Sequence, residues 1–440
     1  MSCHVQAIQV VDQSKADKVP SISTGIGFLD HMIDQWNSHA QVGVGIQVIE
    51  ADEDDSKDNN SNDSVQNRFA GKNQVELLTM VGNALGSELK KVLKSKHHSN
   101  QESKFSCPLD EALVTCVLSS CNTESDKGSL VFYNLAPYGI YPSATGRTKI
   151  GKLETFAIES FWKALAESST LCISLTKLRG DNAHHIVESS FKAFSRALRN
   201  YLDPPDLWEP QSANDEASIR QQREGKVERK TKETSISVHL LLNGCSKSTH
   251  VETGIPLLNA FYTTLAQEAH MTLQIDCQGD LWVDDHHTAE DVSIAIGQCL
   301  TQALGSKAGL NRMWVGRAPL EDGTTVEVTM DLSNRPCFVH NLHETLGRQE
   351  YVEETADDDE FANKSLLSCE MLEHCLDSLV MNGRMTVHVV VVKSSSANES
   401  SVADVVLGTA QAFGRALRVC AMVDQRRAGT TASSKGTLSV

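Results

Sequence analysis

The chain of 440 residues is long enough for more than one core, and its 40% hydrophobic content supplies the material for them. A formal charge of −17 argues against a nucleic-acid or anionic-membrane footprint. The most apolar stretch, MTVHVVVVK (385–393), is far shorter than the ~20 residues of a membrane helix, so no membrane association is expected. Twelve cysteines without a CxxC pair suit reduced, buried thiols rather than a disulfide framework or cysteine-bound zinc. The opening MSCHVQAIQVVDQSKADK has the pattern of neither a signal nor a transit peptide, which points to the cytoplasm.

In chain order, TGIGFLDHM (24–32) opens a helical pattern, and VGVGIQVIE (42–50) follows as a strand. The Asp/Asn/Ser-rich tract at about 50–67 lacks the apolar residues for a core and reads as a disordered loop, before a helix in GKNQVELLTMVGNALGSELK (71–90). LCISLTKLRGDNAHHIVESSFKAFSRALR (171–199) gives a strand, a polar turn and a helix. The Pro-containing polar stretch 202–226 has linker composition and separates a domain at 1–201 from one at 227–440. TGIPLLNAF (253–261) then echoes TGIGFLDHM. The strand, turn and helix plan returns in MTLQIDCQGDLWVDDHHTAEDVSIAIGQCL (271–300) and in MTVHVVVVKSSSANESSVADVVLGTAQAFGRALR (385–418). A second acidic run, 353–360, reads as solvated loop. Four strand-to-helix units in two pairs make an α+β protein of two tandem domains, each internally duplicated.

His286, His287 and Glu290 stand at a helix start with Asp284 or Asp285 as N-cap, and His184, His185 and Glu188 repeat the spacing. Residues three and four apart share one side of a helix, where imidazole and carboxylate can converge on a divalent ion. One HHxxE is equally an exposed, capped helix start; two at equivalent places in a repeat point to metal. Adjacent histidines point about 100° apart, so two ions are expected, each HHxxE feeding both. His31 in FLDHM and His374 in LEHCL are further candidate ligands. Arg312, Arg335 in LSNRP, Lys192, and Ser433 with Lys435 in SSKG would, if gathered there, hold a phosphate monoester.

TGIGFLDHM, DDHHTAED, NAHHIVESSFKAFSRALR, LSNRP and RRAGTTASSKG together resemble the imidazoleglycerol-phosphate dehydratase family, once per half of the chain. The resemblance implies a two-layer sandwich like domain 2 of ribosomal protein S5, with four-stranded sheets and paired helices. It also exposes complementary losses. The first half keeps His31, His184, His185, Glu188 and Lys192, but has Gly71, Lys72 and Val75 at the first HHxxE and Ser160 at a ligand histidine. The second half keeps Glu233, His286, His287, Glu290, Arg312, Arg335, His374, Ser433 and Lys435. It has Ala260 in place of the FLDHM-type histidine, Ser400, Ser401 and Asp404 at the second HHxxE, and Gly408 at the lysine. Summed over both halves, each ligand position is filled once.

The resemblance implies dehydration of imidazole glycerol phosphate to imidazole acetol phosphate in histidine biosynthesis, at one composite site per chain holding two Mn²⁺ ions. Glu233 is the expected proton-transfer group, with Glu188 or Glu290 sharing the role. Gln35 and His39, in the helix after His31, are weaker candidates for substrate contact. In the family, neighbouring subunits share each dimetal site within a shell of roughly 24 domains, so about 12 of these chains would form the homo-oligomer. Two other readings stand beside this one: an inactive structural or regulatory homologue, and a different dimetal enzyme of phosphate esters on the same scaffold.

Overall fold

The computed structural model describes residues 3–12, 21–50, 69, 73–95, 102–120, 131–203, 223–242, 248–352, 366–393, 400–427, 430, 431, 433 and 438. Gly71, Lys72, Lys435, residues 353–360 and most of the 50–67 tract lie outside them. The chain divides into two compact units, 1–209 with 433–436, and 210–432 with 437–440.

The first unit opens with β1 (Cys3–Asp12), β2 (Ile22–Ser23), α1 (Gly27–Ala40), β3 (Val42–Glu50) and α2 (Gln74–Ser95). The plan then repeats as β4 (Glu102–Leu109), β5 (Ala112–Ser120), β6 (Val131–Asn134), a small hairpin of β7 (Lys149–Ile150) and β8 (Leu153–Glu154), α3 (Ile158–Ser169), β9 (Leu171–Arg179) and α4 (Ala183–Leu202). The second unit runs β10 (Arg223–Lys230), β11 (Thr234–Leu242), β12 (His250–Glu252), α5 (Pro256–Glu268), β13 (Thr272–Gly279) and α6 (His286–Leu304). It ends with β14 (Met313–Pro319), β15 (Thr325–Asp331), β16 (Cys337–His340), α7 (His343–Leu346), α8 (Cys369–Gly383), β17 (Thr386–Val392) and α9 (Val402–Ala421). Residues 223–226, linker by composition, are the first residues of β10 and pair with 239–242. Their polar side chains disguise an edge strand.

Three of the four repeats carry four-stranded sheets of one topology, β4-β5-β9-β6, β10-β11-β13-β12 and β14-β15-β17-β16, and the first shows β1-β3-β2. In each, an antiparallel ladder is completed by a parallel edge strand, which a helix must connect because parallel neighbours need a crossover. Burial alternates along β11, so one face of its sheet meets the helices. Among the described residues no helix is long and apolar enough to cross a membrane.

The TGI motifs form the same structure twice. Thr24 donates its N–H and its hydroxyl to Asp30 Oδ1 at 2.7 and 2.5 Å, and Thr253 donates both to Asn259 Oδ1 at 2.9 and 2.6 Å. Gly25 and Gly254 hold φ of 78° and 79°, a left-handed turn that glycine adopts without strain. The motif thus starts α1 and α5 in identical fashion.

Helices pack in pairs that join the two repeats of a unit: α1 with α4 and α2 with α3, then α5 with α9 and α6 with α8. In the second unit one hydrophobic core runs from Ile236 to Ala421 through both repeats. Gly297 marks how closely α6 and α8 approach, because a Cβ there would lie 2.7 Å from Asn382 Cβ and 2.8 Å from the Leu379 carbonyl. Alanine at a mid-helix glycine ordinarily gains about 1 kcal/mol. Here overpacking reverses the sign, and Gly297→Ala is expected to lower stability by about 1–3 kcal/mol, read as a lower urea midpoint with an unchanged slope.

Candidate active site

In the first unit, Asn182 caps α4 by accepting from His184 N–H at 2.9 Å. The cap aims the first turn at α1, the helix that α4 packs against. His184 Nε2 lies 2.9 Å from Glu188 Oε2, and His31 Nε2 reaches the same oxygen from α1 at 3.7 Å. On the other side Lys192 Nζ is 2.6 Å from Glu188 Oε1. Burial alone would raise the Glu188 carboxyl. The charge of Lys192, with hydrogen bonds from His184, His31 and Lys192, overcomes it and holds the group well below the usual carboxylate range. Glu188 is thereby a fixed anion, suited to ligation.

The second unit builds the same kind of cluster on its other type of helix pair. Asp284 Oδ1 accepts from His286 N–H at 3.0 Å. Asp285, the alternative cap, accepts instead from the N–H and hydroxyl of Ser368 at 2.7 and 2.8 Å, which ties the start of α8 to the start of α6. His374 of α8 places Nε2 at 3.1 Å from Glu290 Oε1, and His286 Nε2 is 3.6 Å from Glu290 Oε2. His374 Nε2 is buried and makes no hydrogen bond. A shielded ring nitrogen facing a carboxylate without bonding to it fits a divalent cation between the two.

Each unit therefore brings together three candidate ligands: His31, His184 and Glu188, and His286, Glu290 and His374, with one donor atom from each residue lying within 4.8 Å of the others. The second histidine of each HHxxE turns elsewhere. His185 Nδ1 lies 2.8 Å from Glu111 Oε2, and His287 Nδ1 lies 3.1 Å from Asp280 Oδ2. A carboxylate on Nδ1 fixes the tautomer that leaves Nε2 to accept a metal. The hydrogen bond to Asp280 raises the His287 pKa. Burial of Glu111 opposes ionisation, yet its bonds from His185 and the Asn182 N–H draw that carboxyl below its ordinary value. Sequence reading missed Glu111 and Asp280. The available signal was their place in polar turns just before each HHxxE or in the hairpin opposite it. Glu233, half exposed in the β10–β11 turn, puts Oε1 at 3.9 Å from His287 Nε2.

The sequence model described as "Imidazoleglycerol-phosphate dehydratase" matches residues 68–198 and 253–417. The chain belongs to the imidazoleglycerol-phosphate dehydratase family. It is 36% identical over 215 residues to "Imidazoleglycerol-phosphate dehydratase" of Neisseria gonorrhoeae, covering 48% of this chain and 63% of that protein, so it spans less than two thirds of that relative's length. It is also 36% identical over 228 residues to "Imidazoleglycerol-phosphate dehydratase 1, chloroplastic" of Arabidopsis thaliana, covering 52% of this chain and 76% of the relative. The crystal structure of the dehydratase from Staphylococcus aureus aligns with a TM-score of 0.36 at 22% identity, covering 46% of this chain and 99% of the other.

The dehydratase family frame makes sense of the remaining positions. Ser401 caps α9 by accepting from Asp404 N–H at 3.0 Å, and Ser400 donates to Asp322 Oδ2 at 2.5 Å in the β14–β15 turn. This is the counterpart of the turn that carries Glu233, so a serine–aspartate bond stands where the two HHxxE repeats set acid against histidine. A Cβ on Gly408 would meet Leu320 Cδ2 at 2.8 Å, so a side chain at the position equivalent to Lys192 would have to displace Leu320. Ala260 on α5 and Ser160 on α3 offer no ligand.

Among the expected substrate contacts, Gln35 is buried with Nε2 at 3.4 Å from His31 Nε2, and His39 is fully buried one turn further along α1. Arg312, at φ 77°, donates through Nε and Nη2 to Asp331 at 2.7 and 2.8 Å in a buried bidentate pair. Arg335 is half-buried in a turn where Ser333 Oγ accepts its N–H at 3.0 Å. Ser433 is half-buried, and the placement of Lys435 is not described.

Two outcomes follow for the metal-free chain. Glu188→Gln strands the buried Lys192 and should lower stability at neutral pH by about 3 kcal/mol. Glu290→Gln, in a more open cluster, should change it by less than about 1 kcal/mol. Because the Glu188 carboxyl is depressed in the fold, its contribution is present at neutral pH and fades as pH falls below 4.5; urea curves for both variants at pH 7 and pH 4 check this. Asp280→Asn frees the His287 tautomer and should weaken binding of a divalent ion by about 10- to 100-fold, read by equilibrium dialysis.

Proposed function

We propose that the chain dehydrates imidazole glycerol phosphate to imidazole acetol phosphate in histidine biosynthesis, at one catalytic centre per chain that draws ligands from both units. The observation that carries this reading is complementarity. His31, His184, His185 and Glu188 from the first unit and His286, His287, Glu290 and His374 from the second fill each family ligand position once. An inactive homologue gives no reason for losses to alternate in this way. The chain acts in the cytoplasm as a homo-oligomer of about 12 copies, in which unlike halves take the places of identical subunits.

The ligand set, imidazoles with carboxylates, suits Mn²⁺, and two ions would be held by the two HHxxE helices together with His31 and His374. When bound, they supply Lewis-acid charge that steadies the anion developing on the substrate imidazole. The chain's own groups do the rest. Glu233, solvent-accessible and unattached to either three-ligand cluster, takes the proton from the carbon one removed from the ring, and the hydroxyl on the ring-attached carbon departs as water once it is protonated. The resulting enol reverts to the ketone. Glu188 is too firmly ionised to serve as that base and acts as a ligand. Lys192, Arg312, Arg335, Ser433 and Lys435 grip the phosphate; Arg312 comes with its guanidinium already oriented by Asp331, so the anchor costs little ordering.

Turnover of imidazole glycerol phosphate with Mn²⁺ tests the reading in wild type, His184→Ala and His286→Ala. Wild type should be active and each variant should fall to background, since each lacks a ligand no other residue supplies. Full activity in either variant removes the shared centre, and an inert wild type with metal bound establishes the inactive homologue.

A further inference from the structure

A third convergence of ligands lies outside both HHxxE clusters. His340 ends β16, His343 opens α7 and Glu373 sits on α8, with one donor atom from each within 4.8 Å of the others. His340 Nδ1 is 3.8 Å from Glu373 Oε1, and the two imidazole centroids are 6.1 Å apart at 67°. Tetrahedral ligands bonded at about 2.0–2.1 Å stand about 3.4 Å apart, so small side-chain rotations close the site on an ion.

The segment that carries the two histidines is anchored at each step. Asn341 between them donates to the Val391 carbonyl at 3.3 Å and accepts the Val391 N–H at 2.8 Å, fastening the segment to β17. Leu342 is fully buried, and its N–H donates to His340 Nδ1 at 3.3 Å. Accepting this long bond shows Nδ1 in the unprotonated form that ligates; an ion between Nδ1 and Glu373, which lies 3.8 Å away, would take over the lone pair from the Leu342 N–H. Phe338 stacks on the His340 ring at 4.8 Å and 27°, restraining its rotation. Glu373 immediately precedes His374, and adjacent helical positions diverge by about 100°, so α8 directs one ligand to each of two places. His343 is exposed, which leaves the remaining coordination positions open to water.

We propose that His340, His343 and Glu373 form a separate binding site for a divalent transition-metal ion, with zinc the best match to two imidazoles and one carboxylate. The site is open and peripheral, and it requires none of the ligands assigned to dehydration.

The test uses the full chain stripped by chelator and dialysed against Zn²⁺, with bound zinc counted by elemental analysis. In a His184→Ala/His286→Ala background, which breaks both HHxxE clusters, one zinc per chain should remain. Adding His343→Ala or, separately, Glu373→Gln should remove it. Because His343 is exposed and Glu373 partly so, both variants should keep the parent's far-ultraviolet circular dichroism. In the otherwise wild-type chain, His343→Ala should leave Mn²⁺-dependent turnover unchanged while lowering the zinc count by one. A zinc count in the broken-cluster background that neither substitution changes, or a count of zero there, overturns the site. These counts do not depend on turnover, so failure of the dehydratase reading would show separately.

Discussion

The approach of one repeat's helices to those of the other governs the chemistry. A ligand cluster in this fold belongs to a helix pair: the HHxxE helix of one repeat supplies a histidine and the glutamate, and a helix of the other repeat supplies the histidine that meets them. His31 reaches Glu188 because α1 packs on α4, and His374 reaches Glu290 because α8 packs on α6. In the second pair Gly297, where a Cβ would strike α8, sets the spacing across which an imidazole can touch a carboxylate. The Asp285 bond to Ser368 adds a polar clamp at the end where the ligands sit.

Both clusters lie at helix N-termini, where unpaired N–H groups and the helix dipole oppose positive charge. Glu188 shows the effect of charge taken furthest, since Lys192 is buried against it and holds it ionised. Glu290 sits between two histidines with more solvent around it, so metal has more of the neutralising to do in the second cluster. The two clusters are chemically alike but differ in how far they are arranged before an ion arrives.

What could be read from the sequence follows the range of the signal. The HHxxE spacing and the TGI motif are local, and the structure forms them as helix starts held by short-range side-chain hydrogen bonds. His31 in FLDHM and His374 in LEHCL could be read as candidate ligands, but which HHxxE each one meets could not, because that depends on which helices pack together. Glu111 and Asp280 were not legible as partners of the second histidines, because a hairpin turn or a strand end faces a helix only after the sheet register is set. The same holds for His340, His343 and Glu373, which span a strand, a short helix and a long one. Asp284 and Asp285 could not be ranked from sequence; tertiary demand from Ser368 takes Asp285, and Asp284 is left to cap. Arg312 read as a free cation because its partner Asp331 lies across a β-hairpin.

The energetics of removing a metal site piecemeal explain why the losses come as complete sets. Deleting one member of a buried charge network while keeping the rest leaves an uncompensated ion, at a cost of about 3–5 kcal/mol. In the α5–α9 pair no such remnant survives: Asp404 is exposed, Ser401 has become a helix cap, and Gly408 has given up the buried lysine to Leu320 and Val326. With a first ligand gone, substitutions that remove the remaining buried charge relieve that cost to the unit. On the activity proposed above, selection need preserve only one copy of each set, whichever unit holds it. One cluster on α1–α4 and the other on α6–α8 is one of the two outcomes that keep a full complement while leaving each unit with a single polar cluster to accommodate.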